Sequence, residues 1–182
     1  MSKPQTLVVV AHPDLTKSRV NAVWVQALRD VPDITTHHLY REYPQWTIDV
    51  AAEQQLLMRY DRIILQFPFY WYNSPPLLKL WLDDVMAHGW AYGTGGRGAL
   101  RGKELGIAVS TWTGAKEYQP QGRNRRTMQE LTSPFEATAR RMGMNYLPGF
   151  FLNGLGDIDD RQLAANALAY RAYVQPGEKA FQ

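Results

Sequence analysis

The stretch TLVVVAHP, residues 6–13, decides the fold, because it joins a buried strand to a loop that leads into a helix. Its first six residues are mostly apolar and rich in β-branched side chains, which is typical of a strand covered on both faces. From Val20 the apolar spacing changes to three and four, which indicates an amphipathic helix that Pro32 closes. The chain therefore begins with a strand, a loop and a helix.

The same alternation of strand and helix patterns recurs along the whole chain. Strands are predicted at residues 6–11, 34–40, 62–67, 104–111 and 145–153. Helices are predicted at residues 20–31, 50–60, 76–89, 133–143 and 157–174. Asp49 is the expected cap of the second helix, and the segment from Ser133 to Glu136 has the pattern of a capping box. The pattern predicts an α/β chain, one domain over residues 1–182, with a five-stranded parallel sheet and helices on both faces.

Composition excludes several classes of function. The 182 residues contain no cysteine, which excludes disulfides, cysteine-ligated metal centres and a thiol nucleophile. The net charge is only +3, and without a zinc-finger or RNA-recognition motif no nucleic-acid binding is expected. No run of about 20 apolar residues is present, so no membrane span is expected. With no signal-peptide pattern, a cytoplasmic location is expected.

Ligands of such folds bind beyond the carboxyl ends of the strands, so the segments that follow the strands are the candidate site. After the first strand, Ser18 is a good N-cap, and the N–H groups of the helix start suit a phosphate, aided by Arg19, Asn21 and His12. The alternative is that Ser18 only caps the helix. Because the loop lacks the glycines of a P-loop, nucleoside-triphosphate hydrolysis is not expected.

Aromatic residues make up 12% of the chain and gather after the third strand, where Phe69, Tyr70, Trp71 and Tyr72 are consecutive. Four successive rings in a loop cannot all face one core, and beside a phosphate site they suit a planar heterocycle. A dimer contact or a packed loop is the alternative. Residues 110–114 (STWTG) add hydroxyls, amides and a further ring at the same edge of the sheet.

No nucleophile motif or metal-binding motif is present, and His37, His38 and His88 are interpreted as structural. Residues 93–98 match the G-x-G-x-x-G pattern, but a helix precedes them and a strand follows, so a loop is predicted rather than a dinucleotide-binding turn. Redox chemistry would therefore need a bound cofactor. A phosphate site with an aromatic platform points to a flavin.

At these residues the chain resembles the flavodoxin-like NAD(P)H:quinone oxidoreductases, most closely the bacterial ancillary proteins of potassium-efflux (Kef) systems. The resemblance rests on residues 11–13, 43–49, 66–72, 75–83, 88–93 and 100–103. It implies a flavodoxin-like fold and a homodimer with one flavin per subunit near the interface. Chain length and the Kef-like motifs favour FMN, with FAD as the alternative.

The resemblance also implies roles for individual residues. The flavin phosphate would be held by His12, Ser18, Arg19, Val20 and Asn21, and the isoalloxazine by Phe69, Tyr70, Trp71 and Tyr72. The polar edge of the ring would meet Ser110, Thr111, Trp112, Thr113 and Gly114. Trp112 stands where the family has a small residue and is expected to narrow the pocket. Tyr118 matches a catalytic tyrosine of the family, whereas Asn124 stands near the position of its histidine, so water is expected to supply the proton.

The implied reaction is a two-electron, ping-pong transfer of hydride from NADH or NADPH, through flavin N5, to a quinone-like acceptor. The alternative is a regulatory subunit of a glutathione-gated potassium-efflux transporter, which would bring the chain to the inner face of the membrane. An electron-carrying flavodoxin is disfavoured by the charge of +3, because those proteins are usually strongly acidic. Arg123, Arg125 and Arg126 are read as a solvated face, or as candidates for the phosphates of the nicotinamide nucleotide.

Overall fold

The computed structural model describes residues 4–93 and 98–175, and its strands alternate with helices along the chain. The strands are β1 (Thr6–Val10), β2 (Ile34–His38), β3 (Arg62–Pro68), β4 (Glu104–Thr111), β5 (Asn145–Tyr146) and β6 (Phe150–Asn153). The helices are α1 (Arg19–Ala27), α2 (Leu39–Glu42), α3 (Val50–Met58), α4 (Pro76–Val85), α5 (Met128–Leu131), α6 (Ser133–Met142) and α7 (Asp160–Val174). The G-x-G-x-x-G match at 93–98 lies largely outside the described residues, since 94–97 are not among them.

All strand pairs are parallel, in the order β2-β1-β3-β4-β5, and β6 also pairs with β4. The strand order therefore reverses at β1 and β3, where a ligand site is expected. The predicted single strand over 145–153 is wrong. It is two strands on one side of β4, separated at Pro148, which has no N–H to donate to the ladder. The predicted parallel sheet is confirmed: five strands form its main order, and β6 is a further strand paired with β4.

Helices cover both faces of the sheet, as predicted. One core lies under α1 and α7, where the rings of Trp24 and Tyr170 stack with centroids 4.7 Å apart. The other core lies under α3, α4 and α6 and contains Leu57, Trp81 and Phe135. Both cores are continuous with the buried sides of β1, β3 and β4, so these three strands form a rigid base for the loops that follow them.

The bounds of several elements differ from the prediction. β2 ends at His38 rather than residue 40, because Leu39 turns into the core and begins α2. α1 ends at Ala27, three residues before Asp30 takes a left-handed φ of 62°. α3 and α4 end at Met58 and Val85, earlier than predicted, and α7 begins later, at Asp160. β3 continues through Pro68, which pairs with Ser110 at the end of the ladder.

The predicted capping box at Ser133 is wrong. Thr127 and Glu130 form that reciprocal pair instead, at the start of the short helix α5 that the prediction missed. Ser133 is the first residue of α6, and its hydroxyl donates to the carbonyl of Glu130 at 2.8 Å. The predicted end of α6 at Gly143 is confirmed, with the glycine at a left-handed φ of 71°.

Candidate functional site

The loop after β1 presents free donors at the start of α1. Ser18 caps the helix, as predicted, and its hydroxyl oxygen accepts from the N–H of Asn21 at 3.1 Å. The N–H groups of Arg19 and Val20 have no acceptor among the residues that the structure describes. These first-turn amides, together with the positive end of the helix dipole, favour a bound anion.

His12 and Arg19 flank this helix start. The Nδ1 atom of His12 accepts from the N–H of Asp14 at 3.2 Å, which leaves Nε2 as a donor. Burial lowers the pKa of His12 below its ordinary value, although the nearby carboxylate of Asp14 opposes the shift. Arg19 turns toward the start of α7, where its guanidinium donates to the carbonyl of Ile158 and to the carboxylate of Asp160, both at 2.6 Å. Arg19, the one permanently charged residue predicted to hold the phosphate, is thus already paired with a carboxylate.

The aromatic loop after β3 forms a tight turn. The main-chain groups of Tyr70 and Asn73 exchange two hydrogen bonds, at 2.9 and 3.0 Å. Between them Trp71 and Tyr72 both take left-handed φ angles, 48° and 63°, a conformation that bulky side chains rarely adopt. The turn holds the indole of Trp71 94% exposed and leaves the N–H groups of both residues without an acceptor in the described part of the chain. Strain of this kind concentrates at functional sites.

Only part of this loop is an open platform. Tyr70 and Tyr72 are half-exposed beside Trp71, whereas Phe69 packs against the core and its N–H extends the sheet to the carbonyl of Ser110 at 2.9 Å. The prediction that the rings cannot all face one core is therefore confirmed.

The loop after β4 lies beside the loop after β6. The hydroxyl of Thr111 donates to the carbonyl of Thr113 at 2.7 Å and lies 2.8 Å from the side-chain Oδ1 of Asn153. The Trp112 indole is 78% exposed and rests on Gly156, where an added Cβ would lie 3.3 Å from its Cζ2 atom. Trp112 thus leans on the β6 loop and forms a side wall at this edge of the sheet.

Tyr118 and Asn124 belong to the segment that follows the β4 loop. Tyr118 is only 6% exposed, and its side chain belongs to the core under α4 and α6. Asn124 accepts a hydrogen bond from the hydroxyl of Tyr72 at 3.0 Å, so the segment that carries it is tied to the platform. Arg123, Arg125 and Arg126 are exposed on this segment.

The three loops meet at one edge of the sheet and share a buried polar base. Gln66, in the middle of the apolar strand β3, links Asn21 of α1 to Tyr170 of α7. Asn21 in turn reaches Ser110 at the end of β4. Neither Gln66 nor Tyr170 was predicted as a site residue, although a glutamine inside an otherwise apolar buried strand is a signal that could have found the first.

The histidines interpreted as structural behave in that way where their contacts are seen. His37 lies 2.8 Å from the carboxylate of Glu53, which also accepts from Tyr43 and from the indole of Trp81. The described residues, 4–93 and 98–175, contain no group of three or more acidic or histidine side chains that could hold a metal ion. In the same ranges no helix combines the length and the apolar character needed to cross a membrane.

A cavity of about 310 Å³ opens on the β2 side of His12, between His38, Tyr40 and Arg41. A larger one, of about 540 Å³, lies between α4 and α6, away from the three loops. The exposed rings of Tyr70, Trp71, Tyr72 and Trp112 leave the edge formed by the three loops accessible to a ligand. That edge offers free N–H donors and exposed rings, which suit a ligand with a phosphate and a flat ring bearing many acceptors.

Comparisons with known proteins agree with this geometry. Among curated relatives, the uncharacterized NAD(P)H oxidoreductase YrkL of Bacillus subtilis is 53% identical over 80% of this chain and 83% of its own. The glutathione-regulated potassium-efflux system ancillary protein KefF of Citrobacter koseri is 42% identical over 91% of this chain and 92% of its own.

Solved structures superpose closely. General stress protein 14 of Treponema denticola, in complex with FMN, gives a TM-score of 0.89 at 41% identity, over 94% of this chain and 98% of its own. An NADPH-quinone reductase of P. pentosaceus gives 0.88 at 37%, over 96% and 99%. A protein described as a thermophilic tryptophan halogenase of Streptomycin violaceusniger gives 0.91 at 46%, over 94% and 99%.

A family model described as "Flavodoxin-like fold" matches residues 4–174, nearly all of the described chain. Both the match and the sheet order β2-β1-β3-β4-β5 confirm the predicted fold class. The chain belongs to this flavodoxin-like family.

Proposed function

We propose that the protein is an FMN-dependent NAD(P)H oxidoreductase that passes two electrons to a quinone-like acceptor. The observation that carries the proposal is the set of free donors where three loops meet: the N–H groups of Arg19, Val20, Trp71 and Tyr72 have no acceptor within the described ranges. A phosphate and a ring with several acceptors satisfy such a set. The FMN complex of a relative with 41% identity, and the oxidoreductase names of YrkL and the P. pentosaceus protein, support the same reading.

The residues of the three loops fit FMN through the chemistry of their donors. We place the phosphate at the start of α1, beside the hydroxyl of Ser18 and the free amides of Arg19 and Val20, with His12 Nε2 as a further donor from the same loop. The ring is placed against the platform of Tyr70, Trp71 and Tyr72. Its polar edge is placed along residues 110–114, which offer hydroxyls and amides. A single helix start suits the single phosphate of FMN.

FMN, when bound, supplies the ability to accept a hydride from NAD(P)H and to give two electrons to an acceptor. The protein contributes position and electrostatics: donors of the β4 loop stabilise negative charge that builds at the polar edge of the ring. Tyr118 is proposed to donate a hydrogen bond there. Asn124 can donate a hydrogen bond but cannot act as an acid near neutral pH, so the protons that a quinone takes up come from water.

The proposed order is ping-pong. The oxidised nicotinamide nucleotide leaves before the acceptor enters, and both use the exposed side of the platform around Trp71. The same exposed rings are proposed to lie at the seam of a homodimer. An indole 94% exposed in an ordered turn is costly to leave in water, and a flat substrate or a second subunit would cover it.

Steady-state kinetics test the proposal directly. The purified protein with FMN is assayed for oxidation of NADH and of NADPH, with menadione as acceptor, at several fixed acceptor concentrations. We expect parallel double-reciprocal lines, which indicate a ping-pong order, and a mass near twice 20.8 kDa in solution. Absence of quinone-dependent NAD(P)H oxidation would overturn the proposed reaction. Intersecting lines would agree with the proposed reaction but would overturn the ping-pong order.

A second candidate is a regulatory role on a potassium-efflux transporter, with redox activity secondary. The 42% identity to KefF over 91% of this chain favours it. In that role the protein would be cytoplasmic and held at the inner face of the membrane by its partner. Co-purification with a co-expressed transporter, and altered potassium efflux when the protein is deleted, are the expected results. If efflux does not respond to the protein, the regulatory role is excluded and only the oxidoreductase function stays.

A further inference from the structure

In the buried polar base beneath the loops, the donors and acceptors of each residue fix the orientation of the next side chain. The hydroxyl of Tyr170 donates to Gln66 Oε1 at 2.7 Å, inside the core between α7 and β3. The amide nitrogen of Gln66 donates to the main-chain carbonyl and the side-chain Oδ1 of Asn21, both at 3.2 Å. A main-chain carbonyl can only accept, so the amide of Gln66 cannot be reversed without setting two acceptors against each other.

The orientation of Asn21 follows from that of Gln66. With its Oδ1 accepting from Gln66, Asn21 turns its Nδ2 outward, and the two amide hydrogens go to Ser18 Oγ at 3.2 Å and to Ser110 Oγ at 3.1 Å. Ser18 Oγ also accepts from the N–H of Asn21, so both of its lone pairs are used. Its own hydrogen is therefore free to donate elsewhere.

From this order we infer that Gln66 and Tyr170 are positioning residues: through Asn21 they leave the hydroxyl hydrogen of Ser18 free to donate to the phosphate of the flavin, while Ser110, only 2% exposed, accepts from Asn21 inside the base. This inference rests on the proposed function. The Ser18 hydroxyl donates to no acceptor among residues 4–93 and 98–175, as a site built for an acceptor-rich ligand requires. Gln66, Asn21 and Tyr170 are all at least 99% buried, so water does not compete within the network. Burial also raises the pKa of Tyr170, which therefore remains a donor at physiological pH.

The network explains a residue choice that packing alone does not. β3 is otherwise an apolar strand through its centre, and a leucine or methionine at position 66 would fill similar space without a desolvation cost. With such a residue Asn21 Oδ1 loses its donor, and the Asn21 amide is free to reverse. A reversed amide would present an acceptor to Ser18, whose hydrogen would then turn inward, away from a ligand.

Binding of two ligands that differ only in the phosphate tests the inference. The dissociation constants of FMN and riboflavin are measured by fluorescence quenching for the flavin-free wild type, Gln66→Met and Tyr170→Phe. Because hydrogen bonds to charged groups are the strong ones, we expect Gln66→Met to reduce the preference for FMN over riboflavin about tenfold. Tyr170→Phe keeps the Gln66 contact to the carbonyl of Asn21, so we expect a smaller loss, about threefold.

Matched controls separate orientation from general loss of structure. Gln54→Met removes a glutamine whose side chain donates to the carbonyl of Val85, and Tyr173→Phe removes a hydroxyl from α7 that donates to the carbonyl of Ile107. Neither control changes the preference for FMN if the inference holds. In the Gln66→Met background, Tyr170→Phe should have no further effect on the preference, because the relay is already interrupted.

The possible failures are distinguishable. If the wild type binds neither flavin, the proposed function falls and this inference falls with it. If the wild type binds FMN but Gln66→Met weakens FMN and riboflavin by the same factor, only the inference falls. If Gln66→Met does not fold, Tyr170→Phe decides alone, and a preference equal to that of the wild type contradicts the inference.

Discussion

The two ends of the parallel sheet treat their polar groups in opposite ways. At the amino end, Arg62 donates to the carboxylate of Glu104 at 2.7 Å and to three carbonyls, at residues 173–175, where α7 ends. Lys103 donates to the carbonyls of Met58 and Tyr60. At the carboxyl end, by contrast, the N–H groups of Arg19 and Val20 at the start of α1, and those of Trp71 and Tyr72 in the aromatic turn, have no acceptor within the described residues.

Groups that stabilise the fold and groups that are available to a ligand therefore lie at opposite ends of the sheet. At the amino end the polar groups are paired with one another, so removal of one partner lowers the stability of the folded chain. Free donors at the carboxyl end contribute little to the folded chain alone and gain their partners from a ligand. Substitutions at the amino end should therefore lower the stability of the fold, whereas substitutions at the carboxyl end should lower the affinity for a ligand.

The largest effect on stability is expected at Arg62. Arg62→Met leaves Glu104 and the carbonyls of α7 without their donor, and should lower the free energy of unfolding by about 3 kcal/mol. Urea denaturation measures the loss, and the FMN affinity of the folded fraction should remain unchanged. Arg140→Met is the matched control, because its pair with Glu136 is exposed and should contribute less than about 1 kcal/mol. A change in FMN affinity at Arg62→Met would contradict this separation of stability from binding.

The buried carboxylate of Glu53 should follow the same rule as the amino end. Burial opposes its ionisation, but hydrogen bonds from His37, Tyr43 and Trp81 outweigh burial and hold its pKa below the ordinary value. Glu53→Gln should therefore cost about 2 kcal/mol at pH 7.

The pH dependence of Glu53 follows from that lowered pKa. The stabilisation is fully present above the unfolded pKa of about 4.3 and is lost as the pH falls through the lower folded pKa. Urea denaturation at pH 7 and below pH 4 should show the difference between wild type and Glu53→Gln shrinking in acid. A difference that does not depend on pH would contradict the assignment of an ionised Glu53.

A substitution at the carboxyl end should affect binding more than folding. Ser18→Ala removes a helix cap and a donor to the proposed phosphate, so stability should fall by about 1 kcal/mol and FMN affinity by about tenfold. Isothermal titration with FMN measures the second effect. Asp49→Ala is the control, because Asp49 caps α3 by accepting from the N–H of Ala52 but lies outside the three loops. It should show the loss of stability alone.

Tyr118 tests whether the core beside the platform contributes to turnover. Tyr118→Phe should reduce kcat several-fold and leave FMN bound, because one hydrogen bond to the ring is lost while the buried side chain keeps its packing. Stopped-flow absorbance during NAD(P)H oxidation measures the change. Tyr146→Phe, on β5, is the control. Unchanged kinetics in Tyr118→Phe would remove this residue from the mechanism.

The smallest effect is expected from relief of the strained turn. Trp71→Asn places a residue that tolerates left-handed φ at a position with little packing to lose, so stability should rise by about 1 kcal/mol. Trp71→Phe keeps both the strain and an aromatic ring, so its stability should match the wild type. If the turn serves the substrate, KM for the acceptor should rise in Trp71→Asn and not in Trp71→Phe. A rise in both, or in neither, would contradict the platform.

Much of the fold was predictable because periodicity reports burial. β4 was predicted at both ends, since its apolar run is bounded by Lys103 and by Trp112 at the edge of the sheet. The start of α6 at Ser133 was also predicted, but its cap was not. Thr127 and Glu130 compete with Ser133 and Glu136 for the same capping pattern, and only the main chain shows which pair closes. Pro148 marks the break between β5 and β6, but the prediction carried one strand across it.

The candidate site was predictable in its position but not in its pairing. Strand ends in a parallel sheet meet at one edge, which brings the three loops together without knowledge of side chains. Contacts between distant segments could not be derived in that way. Three such contacts depend on how α7 and its loop pack on the sheet: Arg19 with Asp160, Trp112 with Gly156, and Gln66 with Tyr170.

The identity of the cofactor tests the central claim most directly. The protein is purified without added flavin, its absorbance spectrum is recorded, and any released cofactor is identified by mass spectrometry. A flavin-free sample is then titrated with FMN. We expect a flavin spectrum with FMN as the released species, or saturable binding of one FMN per chain. A colourless protein that binds no FMN on titration would contradict it.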